Sequence, residues 1–80
     1  MTYRRPVTIP AALFDAVVAA LAHADEQHPA LPDDESRPFA DDLAHAHAWA
    51  NAVRDHGESL GYDRDEFYDA ASIVIVANSN

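Results

Sequence analysis

The stretch Tyr62-Asp-Arg-Asp-Glu-Phe67 decides how the last third of the chain folds, because it combines two signals for the start of a helix. Asp63 and Glu66 have the spacing of a capping box, in which each side chain accepts a hydrogen bond from the backbone N–H of the other residue. Tyr62 and Phe67 stand at the two positions of a hydrophobic staple. These signals predict a helix over residues 64–77. Its buried face is predicted at Phe67, Ala70, Ala71 and Val74, with Ile75 at the margin.

The same region carries a conflicting signal in Ile73-Val-Ile-Val76, which is a run of four β-branched residues. Such residues favour strands because their side chains are restricted against the preceding turn of a helix. Residues 3–9 have an extended pattern and would be the natural partner of such a strand. We therefore keep, beside the helix, the alternative of a short two-stranded pairing of residues 3–9 with residues 72–77.

A second helix is predicted over residues 37–56. It starts near Ser36, carries Asp41 and Asp42 where carboxylates interact well with the helix dipole, and ends before Gly57. Residues 44–52 alternate as a strand would, but the five alanines among them favour helix. The face predicted to point to the core consists of Phe39, Leu43, Ala46, Ala50 and Val53.

The first helix is predicted over residues 9–24, with the Thr8 hydroxyl as its cap and Pro10 in its first turn. Its large apolar residues are Leu13, Phe14, Val17, Val18 and Leu21. With few polar residues on its other side, this helix needs burial on more than one face. Residues 25–38 contain three prolines and five acids and are predicted to form a long loop. The sequence thus predicts a single domain, residues 1–80, of the all-α class with three compactly packed helices.

Charge is distributed unevenly along the 80 residues. Fourteen Asp and Glu face five Arg and no Lys, which gives a net charge of −9. Residues 25–69 hold thirteen of these acids and three arginines, a sum of −10, whereas residues 70–80 hold no charged side chain. A balance this acidic argues against direct binding of nucleic acid or of an anionic membrane surface.

Several chemistries lack the residues they need. Cysteine is absent, which excludes disulfides, thiolate metal sites and thiol nucleophiles. Two glycines cannot form a phosphate-binding loop, and no serine lies in a nucleophile-elbow context. The five histidines lack the spacing of a zinc motif and are interpreted as solvated surface residues. We expect no enzyme activity, no metal and no cofactor.

The apolar stretch that follows Arg4 and Arg5 superficially suggests a signal peptide. Asp15 interrupts it, however, and the stretch is too short for a signal peptide or a membrane span. A soluble, cytoplasmic protein is therefore expected.

Two groups of acidic residues and one tryptophan are the candidate partner-binding residues. The loop acids are Asp33, Asp34, Glu35, Asp41 and Asp42, and the helix acids are Asp63, Asp65, Glu66 and Asp69. Trp49 shares a flank of the second helix with Asp42, His45 and His56, and tryptophan is enriched in binding hot spots. We expect a small non-catalytic interaction protein, an inhibitor or adaptor, that binds a basic surface of a nucleic-acid-handling protein. In size, acidity and lack of cysteine the chain resembles nucleic-acid mimics as a class, anti-CRISPR proteins included.

Two alternatives stay open. The apolar first helix and the uncharged carboxyl-terminal segment would suit a self-associating helical protein with a structural or regulatory role, and a homodimer would bury both segments. Residues 4–14, a predicted strand followed by a helix that starts at proline, resemble the opening of ribbon-helix-helix repressors over fewer than twenty residues. That resemblance implies a transcriptional regulator in which Arg4, Arg5 and the paired strands contact the major groove.

Overall fold

The computed structural model describes residues 3–79 and contains three α-helices, α1 (Ala11–Gln27), α2 (Phe39–Ser59) and α3 (Arg64–Ala77). No strand occurs within the described residues, so the predicted all-α, three-helix fold is confirmed. One apolar cluster joins the three helices. Its buried members are Ile9, Val17, Ala20, Leu21, Ala24, Val53, Phe67, Ala70, Ala71 and Val74.

The start of α3 is the one predicted from residues 62–67. The Asp63 carboxylate accepts hydrogen bonds from the backbone N–H groups of Asp65 at 3.1 Å and Glu66 at 3.0 Å. The rings of Tyr62 and Phe67 lie 5.4 Å apart between centroids, which is the expected staple contact. The Asp63 cap and the staple thus fix the first turn of α3 where the sequence placed it, whereas the reciprocal bond from the Asp63 N–H to the Glu66 side chain is not among the hydrogen bonds of residues 3–79.

The alternative strand pairing of residues 3–9 with residues 72–77 is wrong, because residues 72–77 lie within α3. The period of the buried positions decides this outcome. Phe67, Ala70, Ala71 and Val74 are all buried, which is the 3–4 spacing of a helix and not the alternation of a strand. Burial of this face outweighs the weak strand preference of the β-branched run.

The two ends of the described chain nevertheless meet, through a side chain instead of a sheet. The backbone N–H of Arg4 donates to Asn78 Oδ1 at 2.7 Å, and Asn78 Nδ2 donates to the Arg4 carbonyl oxygen at 2.9 Å. The amide side chain of Asn78 thereby offers Arg4 the donor and acceptor that a neighbouring strand would offer. Arg4 is therefore held at the end of α3, and residues 4–9 form no strand.

The bounds of α1 differ from the predicted range 9–24, and two prolines explain the difference. Pro10 occupies the N-cap position without any side-chain cap, so the predicted Thr8 cap is wrong. A residue before proline avoids the helical conformation, which keeps Ile9 out of the helix and, before Pro29, ends α1 ahead of His28. Between these limits α1 continues through Gln27, three residues beyond its predicted end.

The bounds of α2 are also shifted from the predicted range 37–56, because Gly57 does not end the helix. It lies inside α2 and is buried, and a Cβ atom placed on it would approach Phe67 Cγ to 2.3 Å. The glycine therefore allows the close approach of α3. Gly61, with φ of +93°, supplies the left-handed conformation of the turn that follows Ser59. At the other end, Pro38 precedes the first helical residue, Phe39.

The predicted core face of α2 is right in its second half and wrong in its first. Ala50 and Val53 are buried, whereas Phe39 is 77% exposed, Leu43 is 46% exposed and Ala46 is also exposed. His45 is the first residue of α2 that is even partly buried. The first turns of α2 therefore carry large apolar side chains into solvent.

Candidate functional site

The loop acids lie around the start of α2, and all five are exposed. Asp34 Oδ1 accepts hydrogen bonds from the Ser36 hydroxyl at 2.7 Å and from the Ser36 backbone N–H at 3.0 Å. The hydroxyl bond and then the backbone bond hold the pKa of Asp34 below its usual value. Asp34 is therefore held in a local turn as a carboxylate.

Arg37 connects the loop to the first turn of α2. Its Nε donates to Asp42 Oδ1 at 2.8 Å, and its Nη1 donates to the Pro32 carbonyl oxygen. Among the described residues, Asp42 is the one loop acid within ion-pair distance of an arginine. Arg37 thus compensates a single carboxylate and orders the segment that presents the others.

The helix acids lie on the first turns of α3, and all four are exposed. Asp63 is the cap, and Asp65 and Glu66 lie in the first turn, where the N-terminal dipole favours negative charge. Arg54 Nε approaches Asp65 Oδ1 to only 4.0 Å, and the Asp65 side chain is 92% exposed, so this ion pair compensates little charge.

Arg64 turns away from the helix acids and towards the end of α2. It donates to Asp55 and lies 3.6 Å from Glu58 Oε1. The hydrogen bond with Asp55 is the main cause of a pKa for Arg64 above its usual value. The arginine within the predicted acidic group thus neutralises acids outside it.

The structure does not bring the two acidic groups together. Asp42 is a loop acid that lies on α2, and Arg54 is the residue of α2 that lies beside the helix acid Asp65. Asp42 and Arg54 are twelve residues apart on the same helix, which corresponds to about 18 Å along its axis. The groups are therefore two separate surfaces near opposite ends of α2.

Trp49 lies with neither acidic group. It is half-buried against the core, and its Nε1–H donates to Asp25 Oδ1 in α1 at 2.7 Å. Asp25 and Tyr68 line a cleft of about 380 Å³ together with it. The predicted flank of α2 with Trp49 and two histidines therefore faces α1, and Asp25, next to Trp49, is an acid outside the predicted partner-binding residues.

Four of the five histidines form two pairs, His23 of α1 with His56 of α2 and His28, which follows α1, with His45 of α2, and the interpretation as solvated surface residues did not include these pairs. The ring centroids of His23 and His56 are 5.5 Å apart, and those of His28 and His45 are 6.5 Å apart. His45 Nε2 donates to the Pro29 carbonyl oxygen at 2.8 Å, so this nitrogen carries the proton. The sequence feature that could have indicated these pairs is the flank of α2 that His45 and His56 share with Trp49. It becomes informative only when α1 is placed antiparallel against this flank.

A groove of about 350 Å³ runs beside the His23–His56 pair. It is lined by polar side chains of both helices, including Gln27, Asn51 and Asp55. Within residues 3–79, however, no three His, Asp or Glu side chains are arranged to hold a metal ion. The groove is thus a polar seam between α1 and α2.

Two apolar faces are also exposed, and the sequence predicted the first of them to point to the core. One consists of Phe39 and Leu43 and lies beside Asp41 and Asp42 on α2. The other consists of Ser72, Ile73, Val76 and Ala77 on α3, where Ile73 is 44% and Val76 72% exposed.

Comparison with known proteins adds no evidence about function, so that evidence consists of the surfaces described above. The chain matches no protein-family model, no curated protein and no solved structure. Within residues 3–79, no helix has the length and apolar character needed to span a membrane.

Proposed function

We propose that the protein is a non-catalytic interaction module, an inhibitor or adaptor, whose acidic surface binds a basic surface of a nucleic-acid-handling protein. One observation carries this proposal: all fourteen carboxylates are exposed, while Arg37 and Arg64 are paired with three of them and Arg54 approaches a fourth only to 4.0 Å. Most carboxylates of the described residues therefore have no arginine within ion-pair distance. The electrostatic potential that a partner meets is therefore negative.

The loop acids are the first contact surface in this proposal. Phe39 and Leu43 lie within the same stretch of chain, so that apolar side chains and carboxylates are presented together. Binding hot spots commonly combine an apolar centre with a polar rim that excludes water. Phe39 would insert into the partner, and Asp33, Glu35 and Asp41 would face its basic groups.

The helix acids are the second contact surface. Their carboxylates project from the capped first turn of α3, so the backbone that carries them is already ordered before they bind. Basic surfaces that accept nucleic-acid phosphates also accept carboxylates in such an array, and a charge of this size accelerates encounter at low salt. This is the basis for the nucleic-acid-mimic class, and a cytoplasmic location belongs to the same proposal.

The non-catalytic part of the proposal rests on how the serine hydroxyls are used. Ser36 donates to Asp34, and the other three donate to backbone carbonyl oxygens three or four residues earlier. Each hydroxyl thus stabilises a turn or a helix end and has an acceptor that is not a histidine. These contacts favour a structural role of the serines over a nucleophilic one.

The test is binding to purified basic nucleic-acid-binding proteins, immobilised one at a time, with two variants of equal charge. Asp33→Asn/Glu35→Gln changes the loop acids, and Asp15→Asn/Glu26→Gln removes the same charge from α1. We expect the first variant to weaken binding by about tenfold and the second by no more than about twofold. Wild-type affinity should fall steeply as salt rises.

Three results would contradict the proposal. They are an absence of binding to any basic protein at low salt, an affinity that does not change with salt, and an equal loss of affinity in the two variants. The last result would mean that only net charge matters and that the loop acids form no surface of their own.

A further inference from the structure

We propose that the cleft beside Trp49 binds the guanidinium group of an arginine side chain on the basic partner. All three helices line this Trp49 cleft of about 380 Å³, with Asp25 from α1, His45 and Trp49 from α2, and Tyr68 from α3. Clefts where aromatic rings and a few polar groups converge are typical binding sites. The site shares no residue with the two acidic groups, and it rests on the proposed function only in that the partner is basic.

The indole ring of Trp49 is accessible from this cleft. Its Nε1–H lies in the plane of the ring and donates to Asp25 Oδ1 at 2.7 Å, so the carboxylate lies at the edge of the ring and not over its face. The ring is half-buried against the core, and the part that stays accessible lines the cleft. Because tryptophan attracts a cation over its face more strongly than other aromatic residues do, the ring favours a cationic ligand.

The Asp25 carboxylate adds a negative charge at the same place. Among the described residues, no arginine or histidine lies within ion-pair distance of it. The hydrogen bond from Trp49 uses one lone pair of Oδ1, so both carboxylate oxygens can still accept. A guanidinium group donates two parallel hydrogen bonds to a carboxylate, and such bonds are about twice as strong as those between neutral groups.

The remaining polar groups of the cleft also favour a ligand that donates hydrogen bonds. His45 Nε2 donates to the Pro29 carbonyl oxygen, so Nδ1 of the neutral ring is an acceptor. The Trp49 N–H, which could otherwise bind an anion, is already used by Asp25. A phosphate or carboxylate ligand would therefore meet the Asp25 charge in a cleft that no arginine lines.

Tyr68 shows that a guanidinium group packs on an aromatic ring in this part of the surface. The Cζ atom of Arg54 lies 4.1 Å from the centroid of the Tyr68 ring. Tyr68 lines both the Trp49 cleft and a neighbouring groove, whereas Arg54 lines only that groove. In the described chain no cation lies over the Trp49 ring. A planar guanidinium stacks on a ring and also forms two bonds to a carboxylate, so arginine suits the cleft better than lysine does.

An arginine in this cleft would give the complex a fixed register. Exposed carboxylates such as the loop acids accelerate encounter with a basic surface, but each contributes little to a defined contact. Tryptophan and arginine are enriched among the residues that contribute most binding energy, and such residues tend to pair across an interface. Trp49 and Asp25 would thus hold one chosen arginine of a partner that the acidic surfaces attract.

The test is an NMR titration of the full chain with Nα-acetyl-arginine amide at constant ionic strength. Trp49 is the only tryptophan, so its indole N–H gives one resonance that reports on the cleft directly. We expect a saturable shift of this resonance with a dissociation constant on the order of millimolar, since the probe is small. Nα-acetyl-citrulline amide, which has the same shape without the charge, should bind at least about tenfold more weakly. Nα-acetyl-lysine amide should bind about threefold more weakly than the arginine probe.

Two variants of equal charge locate the site. Asp25→Asn removes the charge and keeps an oxygen that accepts from Trp49, and it should weaken binding of the arginine probe about tenfold. Glu26→Gln removes the same charge from the next residue of α1, which does not line the cleft, and should weaken binding by less than about twofold. Circular dichroism of both variants checks that the helices are retained.

Four results would overturn the inference. They are the absence of a saturable shift up to about 50 mM arginine probe, equal binding of the citrulline probe, equal binding of the lysine probe, and an equal loss of affinity in Asp25→Asn and Glu26→Gln. None of these measurements uses a protein partner, so their failure leaves the proposed function standing on the loop acids.

The source of the arginine is tested with a basic protein that the chain binds. Asp25→Asn should weaken this complex about tenfold, and Glu26→Gln by less than about twofold. If the arginine probe binds but Asp25→Asn leaves the complex unchanged, the cleft does not hold an arginine of the partner. If the arginine probe binds and no basic protein does, the proposed function fails, and the assignment of the arginine to a partner fails with it.

Discussion

The two halves of α2 have the same pattern of apolar residues and opposite surroundings. Ala50 and Val53 follow Phe39, Leu43 and Ala46 at the 4-3-4-3 spacing of one face, yet only the second half of that face is buried. The second half is covered by α1 and by Phe67 of α3, whose ring approaches Gly57. Periodicity therefore identifies which side of a helix is apolar. It does not establish that the chain itself covers that side.

Two phenylalanines at the ends of this comparison give the largest predicted difference. Phe67→Ala removes a side chain that is only 1% exposed, and it should lower the free energy of unfolding by about 3–5 kcal/mol. Phe39→Ala should change it by no more than about 0.5 kcal/mol, because the ring is already in solvent. Urea unfolding of both variants measures the difference, and similar losses would mean that the first half of α2 is covered after all.

Gly57→Ala examines the covered half alone. The added methyl group must displace the Phe67 ring, and we expect a net destabilisation of about 1–3 kcal/mol. Alanine is a better helix former than glycine, so propensity by itself would stabilise the variant by up to about 1 kcal/mol. An increase in thermal stability would thus show that α3 does not pack closely on Gly57.

The two predicted helix caps, Asp63 of α3 and Thr8 of α1, allow a similar comparison at the starts of these helices. Asp63→Ala removes the acceptor for two N–H groups and should cost about 1 kcal/mol. Thr8→Ala, at the cap position that the structure does not use, should cost less than about 0.5 kcal/mol. Thermal unfolding measures the loss of stability in each variant. An equal loss for Thr8→Ala would mean that the Thr8 hydroxyl caps α1 at the predicted position.

The smallest expected effect concerns the turn that leads into the solvated half of α2. The folded-state pKa of Asp34 is lowered, so its turn is supported at pH values above the ordinary aspartate pKa and loses that support as the pH falls through the lowered value. Ser36→Ala should raise the pKa of Asp34, as measured by NMR of its carboxyl carbon. An unchanged titration would mean that the bonds from Ser36 do not form in solution.

The sequence specified some parts of the molecule locally and left others to tertiary packing. The bounds of α3 were predictable because cap, staple and apolar period agree over residues 62–74. Gly57 was misassigned because a glycine that ends a helix and one that admits a neighbouring ring look the same in sequence. Pairs such as His23 with His56 depend on how α1 meets α2, which no spacing within one helix encodes.

The candidate site shows the same division. All nine predicted acids are exposed, as residues of this type at helix starts and in a loop should be. Their separation into two surfaces about 18 Å apart follows from the length of α2 between them. The exposed Phe39 could not be predicted, because its apolar spacing matches that of the buried residues further along the helix.

The central claim is that the solvated half of α2 and the loop before it form the contact surface for a basic partner. Hydrogen–deuterium exchange of the full chain, with and without a basic protein that it binds, tests this claim most directly. The proposed function predicts that amides of residues 33–46 become protected in the complex, while those of residues 11–22 in α1 are unchanged. Protection confined to α1, with residues 33–46 exchanging as in the free protein, would contradict it.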